Sequence, residues 1–146
     1  MSVLVFAETS EGKFKKSAFE VTSYGKKVAE QLGTNVVVLT INANDASLLY
    51  TYGAEKVLNV SNENLKFNAK VYSNIIKQAS EKENSTVIVI DSNTNGLYIA
   101  PMVAVNLKAG YASNVVAIPN SVSPFTVKRK AFSSKAFNLI EINTTI

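Results

Sequence analysis

The sequence has 146 residues, of which 47% are apolar and 18% charged, and its formal net charge at pH 7 is +4. This size and composition predict one globular domain, and no apolar run approaches the ~20 residues that a membrane span needs. The absence of cysteine and histidine excludes disulfides, thiol catalysis, a Ser-His-Asp triad and metal sites built on those two residue types.

Apolar runs and helical periodicity alternate along the first 110 residues. Strands covered on both faces are predicted at Val3 to Ala7, Val36 to Ile41, Lys56 to Val60 and Thr86 to Ile90. Helices are predicted at Ser17 to Leu32, Asp45 to Tyr52, Asn68 to Glu81, and from Leu97 or Tyr98 to near Gly110. Because this part shows no hairpin signal, the pattern predicts a three-layer α/β fold, Rossmann-like or adenine-nucleotide alpha-hydrolase-like, with helices on both faces of a mostly parallel sheet.

The pattern changes in the last third of the chain. Asn114 to Ile118 is typical of a fifth strand, while Phe125 to Ala131 and Lys135 to Ile142 have no helix between them. These two segments predict a C-terminal antiparallel hairpin added to the edge of the sheet. We therefore expect residues 1–146 to form a single α/β domain.

The segment "VIVIDSNTNGLYIAP" joins the fourth predicted strand to the helix after it. Proline is tolerated in the first turn of a helix, so Pro101 places the helix start near Leu97 or Tyr98 and leaves Ser92 to Gly96 as loop. This loop would lie at the carboxyl edge of the sheet, where α/β folds bind ligands. Its backbone N–H groups could hold an anion, or it could be an ordinary turn.

The ordinary turn is the favoured interpretation of this loop. The segment matches neither the P-loop nor the dinucleotide fingerprint, it contains no lysine or arginine, and Asp91 would repel a phosphate. The residues that could line a vestigial nucleotide edge are Glu8, Ser92, Asn93, Thr94, Asn95 and Gly96.

Glu8 follows the first strand and has two interpretations of its own. It could bind a ribose hydroxyl, or it could cap the "ETSEGK" turn. If the first and fourth strands are neighbours, Glu8 and Asp91 could form a pair suited to acid–base chemistry or to magnesium. Structural capping is favoured because no third acid, lysine or histidine accompanies them. We predict no catalytic residue and no metal site.

The ends and charges of the chain favour an intracellular globular protein without a nucleic-acid partner. "SVLVFA" is too short for a signal-peptide core and lacks a preceding basic region, so the predicted location is cytoplasmic, with no membrane insertion. Basic residues are scattered over Lys13 to Lys16, Lys26–Lys27 and Lys128 to Lys130 rather than gathered with interleaved aromatics. A nucleic-acid interface would concentrate them on one face.

Four segments in order carry a resemblance to the electron transfer flavoprotein alpha subunit. They are "SVLVFAETSEGKFKKSAFEVTSYGKKVA", "YGAEKVLNV", "DSNTNGLYIAPMVAVNLKAGYASNVVAI" and "FTVKRKAFSSKAF". They resemble the family's first strand and helix, its G-A-D-K-V-Y strand entry, its A-P-R helix with the G-x-x-S-D segment, and its R-x-x-Y-A-G-K-A hairpin. Met102 stands where the family usually has arginine and Asn114 where it often has aspartate, which affects sites built there more than the fold.

The resemblance implies the N-terminal domain of a longer subunit. The flavin adenine dinucleotide (FAD) of that subunit lies in a C-terminal domain that nothing here resembles, so this chain is expected to bind none. The implied role is assembly, without catalysis, in a heterodimer with the beta subunit. Through FAD held elsewhere, that heterodimer passes electrons from acyl-CoA or other dehydrogenases to a quinone reductase.

An alternative class is a small nucleotide-binding module of the universal-stress-protein type, which has the same alternating pattern. That module needs a glycine-rich phosphate loop after the fourth strand, which "DSNTNGLYIAP" supplies poorly. ATP or AMP that copurifies with the protein would favour this alternative.

Overall fold

A four-stranded parallel sheet forms the centre of the molecule. The computed structural model describes residues 1–115, 117–119, 121–122, 125–131 and 136–142. The strands of the sheet are β1 (Ser2–Phe6), β4 (Asn35–Ile41), β5 (Lys56–Val60) and β6 (Ser85–Ile90), in the spatial order β5-β4-β1-β6. Every pair in this sheet is parallel, because the strands are joined by helical crossovers.

Helices cover both faces of the sheet, which confirms the predicted three-layer α/β class. They are α1 (Lys16–Leu32), α2 (Leu48–Thr51), α3 (Ala69–Lys82) and α4 (Thr94–Leu107). The buried side chains of α1 join one core cluster with Val3 and Val5 of β1, while those of α3 and α4 join a second cluster with Leu4 and Phe6. Successive residues of a strand point to opposite faces, so β1 supplies both clusters in alternation.

The helix ends follow from local chemistry. Gly33 ends α1 in the left-handed conformation with φ 67°, which a residue without Cβ adopts at little cost. The side chain of Asn68 begins α3 by accepting a hydrogen bond from the N–H of Val71 at 3.1 Å. Both ends lie where the sequence predicts them. Of the described helices, none is long and apolar enough to cross a membrane.

Two predictions about hairpins need correction. The "ETSEGK" turn forms a small antiparallel hairpin of β2 (Thr9–Ser10) and β3 (Lys13–Phe14), because Glu11 and Gly12 both adopt positive φ. The expectation that the first 110 residues hold no hairpin is therefore wrong.

The C-terminal hairpin forms as predicted, but in a separate sheet. Its three strands are β7 (Ser121–Val122), β8 (Phe125–Ala131) and β9 (Ala136–Ile142), all antiparallel, and none is hydrogen-bonded to the parallel sheet. Phe125 packs against the α1-side core cluster. Lys135, the first residue of the second predicted segment, lies outside the described residues.

The predicted strand at Asn114 to Ile118 is not formed in the described part of that segment. Val115 makes an isolated bridge, while residues 117–118 are bends. Asn114 has a positive φ of 54°, which turns the chain away from an extended path. Side chains of α1 then hold the backbone that follows: the Tyr24 hydroxyl donates to the Ala117 carbonyl at 2.9 Å, and Gln31 Nε2 donates to the Pro119 carbonyl at 3.0 Å.

Helix α4 begins earlier than Pro101 suggests. The structure places Thr94, Asn95 and Gly96 in the helix and leaves Pro101 inside it, so the prediction of a loop through Gly96 is wrong beyond Asn93. Asn93 determines the start, because its side chain accepts a hydrogen bond from the N–H of Gly96 at 2.7 Å. Pro101 has no N–H to donate to the carbonyl of Leu97, so that helical hydrogen bond is missing.

Candidate functional site

The sheet brings the predicted site residues to one edge. Strands β1 and β6 are neighbours, with Phe6 paired to Ile90, so the residues after each strand emerge side by side at the carboxyl edge. The sequence predicts that Glu8 could approach the loop after the fourth strand if the first and fourth predicted strands were neighbours, and they are neighbours. Glu8 does meet that loop, through residues beyond Asp91.

Glu8 accepts two hydrogen bonds from asparagine side chains at the start of α4. Asn93 Nδ2 donates to Glu8 Oε1 at 2.9 Å, and Asn95 Nδ2 donates to Glu8 Oε2 at 2.7 Å. All three side chains are half-buried. A carboxylate at a helix N-terminus is also favoured by the positive end of the helix dipole. The network therefore fixes the entry of α4 against the end of β1.

Asn93 joins the carboxylate to the backbone of the helix. Its Nδ2 donates to Glu8 while its Oδ1 accepts from the N–H of Gly96, so both polar atoms of the amide are bonded. Gly96 is buried, and a Cβ built there would overlap the carbonyl oxygen of Asp91. Only glycine allows the first turn of α4 to approach the end of β6 so closely.

The predicted candidates divide into two groups. Glu8, Asn93, Asn95 and Gly96 are brought together in this network, whereas Ser92 and Thr94 are exposed and take no part in it. The residues of the network have a different role from the nucleotide binding first considered, because the amide groups of Asn93 and Asn95 bind a carboxylate of the protein itself.

Tyr72 of α3 is a neighbour of this cluster that was not singled out in the sequence. Burial raises the pKa of the Tyr72 phenol above its ordinary value of 10.0, and the negative charge of Glu8 raises that pKa further. The ring contacts Phe6 edge-on, with centroids 5.9 Å apart. The signal available in the sequence was its place on the buried face of the helix, which does not indicate a polar neighbour.

The chemistry of this edge does not suit a phosphate or the pyrophosphate of FAD. An anion would have to approach the Glu8 carboxylate, and one N–H of each asparagine that could bind it already donates to Glu8. Within the described residues no group of three or more acids could hold a metal ion. The arrangement is that of a structural clamp between β1 and α4.

A second feature, the outer surface of α4, was not singled out in the sequence. None of the 14 residues of this helix carries a charge, although its outward side is open to solvent. Tyr98 is 64% exposed and Val105, two turns further along the same side, is 77% exposed. A helix that is apolar on all sides is typical of one that is covered on all sides. The signal in the sequence was the absence of charge from Thr94 to Leu107.

The fold and the site define the class of this protein. It is a parallel three-layer α/β domain that has a structural clamp at the carboxyl edge of its sheet and an uncharged helix on its surface. The electron transfer flavoprotein domain matches residues 3–146, and the chain belongs to that family. The match favours this family over the universal-stress-protein alternative.

Three relatives have informative names. The chain is 28% identical over 120 residues to the electron transfer flavoprotein subunit alpha of Clostridium acetobutylicum and 27% identical over 119 residues to Protein FixB of Clostridium saccharobutylicum, each match covering 80% of this chain and 36% of the relative. It is 29% identical over 116 residues to the acryloyl-CoA reductase electron transfer subunit beta of Anaerotignum propionicum, covering 77% of this chain and 32% of that protein. The matched part thus spans about a third of each relative's length.

Proposed function

We propose that this chain is a non-catalytic assembly domain of an electron transfer flavoprotein alpha-type subunit. In this proposal it corresponds to the N-terminal domain of the subunit and pairs with a beta subunit in a heterodimer. The heterodimer carries electrons from dehydrogenases to an acceptor such as a quinone reductase, through FAD bound outside residues 1–146. Its location is cytoplasmic.

The outer surface of α4 is the observation that carries the proposal. Tyr98, Met102 and Val105 lie at i, i+4 and i+7, which places them on one side of the helix. Met102 is half-buried and the other two are exposed. Helices α1 and α3 carry lysines and glutamates on their outer sides, as expected for solvated helices. The outer side of α4 is therefore an uncharged surface. Relatives of this chain are named as subunits, which supports assembly through this surface.

The absence of a catalytic role rests on the residue types and on the clamp. The chain has no histidine or cysteine, and Glu8 is committed to Asn93 and Asn95. The residues at this edge do not fit a flavin pyrophosphate, so FAD is assigned to a part of the assembly that lies elsewhere. The cofactor supplies the redox chemistry of such a carrier, while the protein supplies binding and orientation.

The assembly proposal is tested by coexpressing the chain with the electron transfer flavoprotein beta subunit of the same organism. Complex formation is measured by sedimentation velocity with the wild type, with Val105→Asp and with the control Lys70→Asp on α3. We expect Val105→Asp to weaken the complex by about tenfold or more, since a buried unpaired charge is strongly unfavourable. Equal complex formation by Val105→Asp and wild type would place the interface elsewhere.

A separate measurement tests the cofactor proposal. The purified chain is examined for flavin absorbance and, by mass spectrometry under native conditions, for bound nucleotides. We expect neither flavin nor nucleotide at stoichiometric level. Stoichiometric FAD would overturn the assignment of FAD to another part of the assembly. Copurifying ATP or AMP would instead support the universal-stress-protein-like function.

A further inference from the structure

A groove runs along the outer side of α1, on the face of the sheet opposite to α4. We call it the α1 trough: its floor is the outer side of α1, one bank is Tyr52 after α2, and the other is residues 117–118. Its volume is about 450 Å³. The residues that matter below are Lys16, Phe19, Tyr24, Lys27, Tyr52 and Ile118.

Both banks of the trough are held in place by contacts with α1. The Tyr52 ring stacks on Phe19 with centroids 4.6 Å apart and an interplanar angle of 26°. On the other side, the Tyr24 hydroxyl donates to the carbonyl of Ala117 at 2.9 Å. The groove is thus built by specific packing and hydrogen bonding rather than by loosely placed surface side chains.

The lining of the trough combines apolar side chains with the polar Glu20 and Ser23 of α1. Tyr52 is 42% exposed and Ile118 is 41% exposed, and they face the same groove from its two banks. A side chain inserted between them would cover both apolar surfaces at once. Burial of that apolar area would favour binding of an apolar residue.

Positive charge lies toward the two ends of the trough. Lys16 and Lys27 are eleven residues apart on one side of α1, which corresponds to ~16 Å along a helix. Lys16 forms an ion pair with Glu20 at 3.8 Å, and Glu20 also lines the trough, so the two lysines and one glutamate of the lining leave a net charge of +1 there. Lys27 makes no ion pair with the described residues. Residues 11–27 hold five lysines and two glutamates, so the surroundings are basic as well.

We propose that the α1 trough binds an acidic peptide segment of a partner protein in extended conformation. An extended chain rises ~3.3 Å per residue, so two carboxylates five residues apart would reach both lysines. One apolar side chain between them would enter the space between Tyr52 and Ile118. A small planar anion would be too short to reach both lysines, whereas a peptide chain can span the distance between them.

The experiment uses the absence of tryptophan from the protein. The probe is the peptide acetyl-Gly-Glu-Ala-Trp-Ala-Ala-Glu-Gly-amide, whose tryptophan is the only one in the mixture, so its fluorescence anisotropy reports binding directly. We expect saturable binding, and we expect the same peptide with both glutamates replaced by glutamine to bind about tenfold more weakly. Absence of saturable binding to the wild-type chain would overturn the proposal.

Charge reversal on each face of the sheet provides the matched comparison. Lys27→Glu should weaken peptide binding by about fivefold or more, whereas Lys70→Glu on α3 makes the same change in net charge and should alter it by less than about twofold. Equal weakening by the two variants would show unspecific attraction to a basic protein. Far-UV circular dichroism confirms that both variants are folded.

Two further measurements complete the test. Ile118→Ser removes the apolar bank and should weaken peptide binding by about threefold to tenfold without changing the charge. A single-stranded oligothymidylate should compete poorly. If it competed as well as the acidic peptide and depended equally on Lys27, the trough would be a nucleic-acid site and the proposal would be wrong. None of these outcomes depends on assembly through α4.

Discussion

Helices α1 and α4 cover opposite faces of the same sheet, and they differ in how their outer sides are built. In α1, 17 residues carry five charges, and two of its lysines form ion pairs with Glu20 and Glu55 at 3.8 and 3.1 Å. In α4, 14 residues carry none. The inner sides are alike, since both bury small and branched apolar residues, those of α1 in the core cluster that contains Val3 and Val5 and those of α4 in the cluster that contains Leu4 and Phe6. The two helices therefore differ in the surroundings to which their outer sides are suited. The outer side of α1 is suited to water, whereas α4 has the composition of a helix that is packed on both sides.

The largest expected effect separates the two sides of α4. Ile99 is fully buried, whereas Val105 is 77% exposed, so Ile99→Ala should lower the free energy of unfolding by about 2–5 kcal/mol and Val105→Ala should change it by less than about 0.5 kcal/mol. Urea denaturation of the isolated chain measures both. A loss above about 1 kcal/mol for Val105→Ala would mean that this side is already packed within the chain, and the contrast with α1 would disappear.

A second test concerns how α4 is attached to the sheet. A Cβ at Gly96 would overlap the Asp91 carbonyl oxygen, so Gly96→Ala should cost about 1–3 kcal/mol even though alanine has the higher helix propensity. Thr94→Ala, exposed in the same turn, is the control and should stay within about 0.5 kcal/mol of wild type. Thermal or urea unfolding that shows equal stability for Gly96→Ala would indicate that the loop after β6 can shift freely.

The sheet and its helices could be predicted because each is determined by a short local pattern. The continuous apolar runs of β1 and β4 and the periodicity of α1 are complete within the segments that form them. The start of α4 was misplaced because Pro101 is a local signal, while the competing cap by Asn93 is reinforced by Glu8, which is 85 residues away in sequence. Such a long-range hydrogen bond has no periodic signature.

The segment after α4 was misassigned for a related reason. Asn114 to Ile118 has the residue types of a strand, but the backbone at Ala117 and Pro119 is bound by Tyr24 and Gln31 of α1. Tertiary hydrogen bonds therefore override β-propensity there. The structure places the candidate residues at the carboxyl edge of the sheet, and the partner of the asparagines there could not be read from the sequence.

A third prediction tests whether Glu8 is a structural clamp. Removal of its carboxylate takes away the acceptor for Asn93 and Asn95, so Glu8→Ala should lower the free energy of unfolding by about 1–2 kcal/mol. Glu63→Ala removes an exposed carboxylate and should have an effect within about 0.5 kcal/mol. Both are measured by urea denaturation at neutral pH. If Glu8→Ala were as stable as wild type, the carboxylate would be free for another role at this edge.

The smallest expected effect is a loss of stability at alkaline pH that is caused by deprotonation of Tyr72. Burial first, and the charge of Glu8 second, raise the pKa of this tyrosine above 10.0 in the folded chain. When the pH rises past 10, the unfolded chain loses the phenol proton first and so binds fewer protons than the folded chain, and the free energy of unfolding falls. The stabilisation is complete below the unfolded pKa and is lost as the pH rises through the folded pKa.

Urea midpoints measured from about pH 8 to about pH 11 should therefore decline less steeply for Tyr72→Phe than for wild type. Glu8→Gln should fall between the two, because it removes the electrostatic cause and leaves the burial of the ring. This ordering links the clamp to the α3–α4 side of the core, where Tyr72 contacts Phe6. Identical alkaline slopes for wild type and Tyr72→Phe would mean that the phenol stays in contact with water, and that this side of the sheet is less tightly closed than the α1 side.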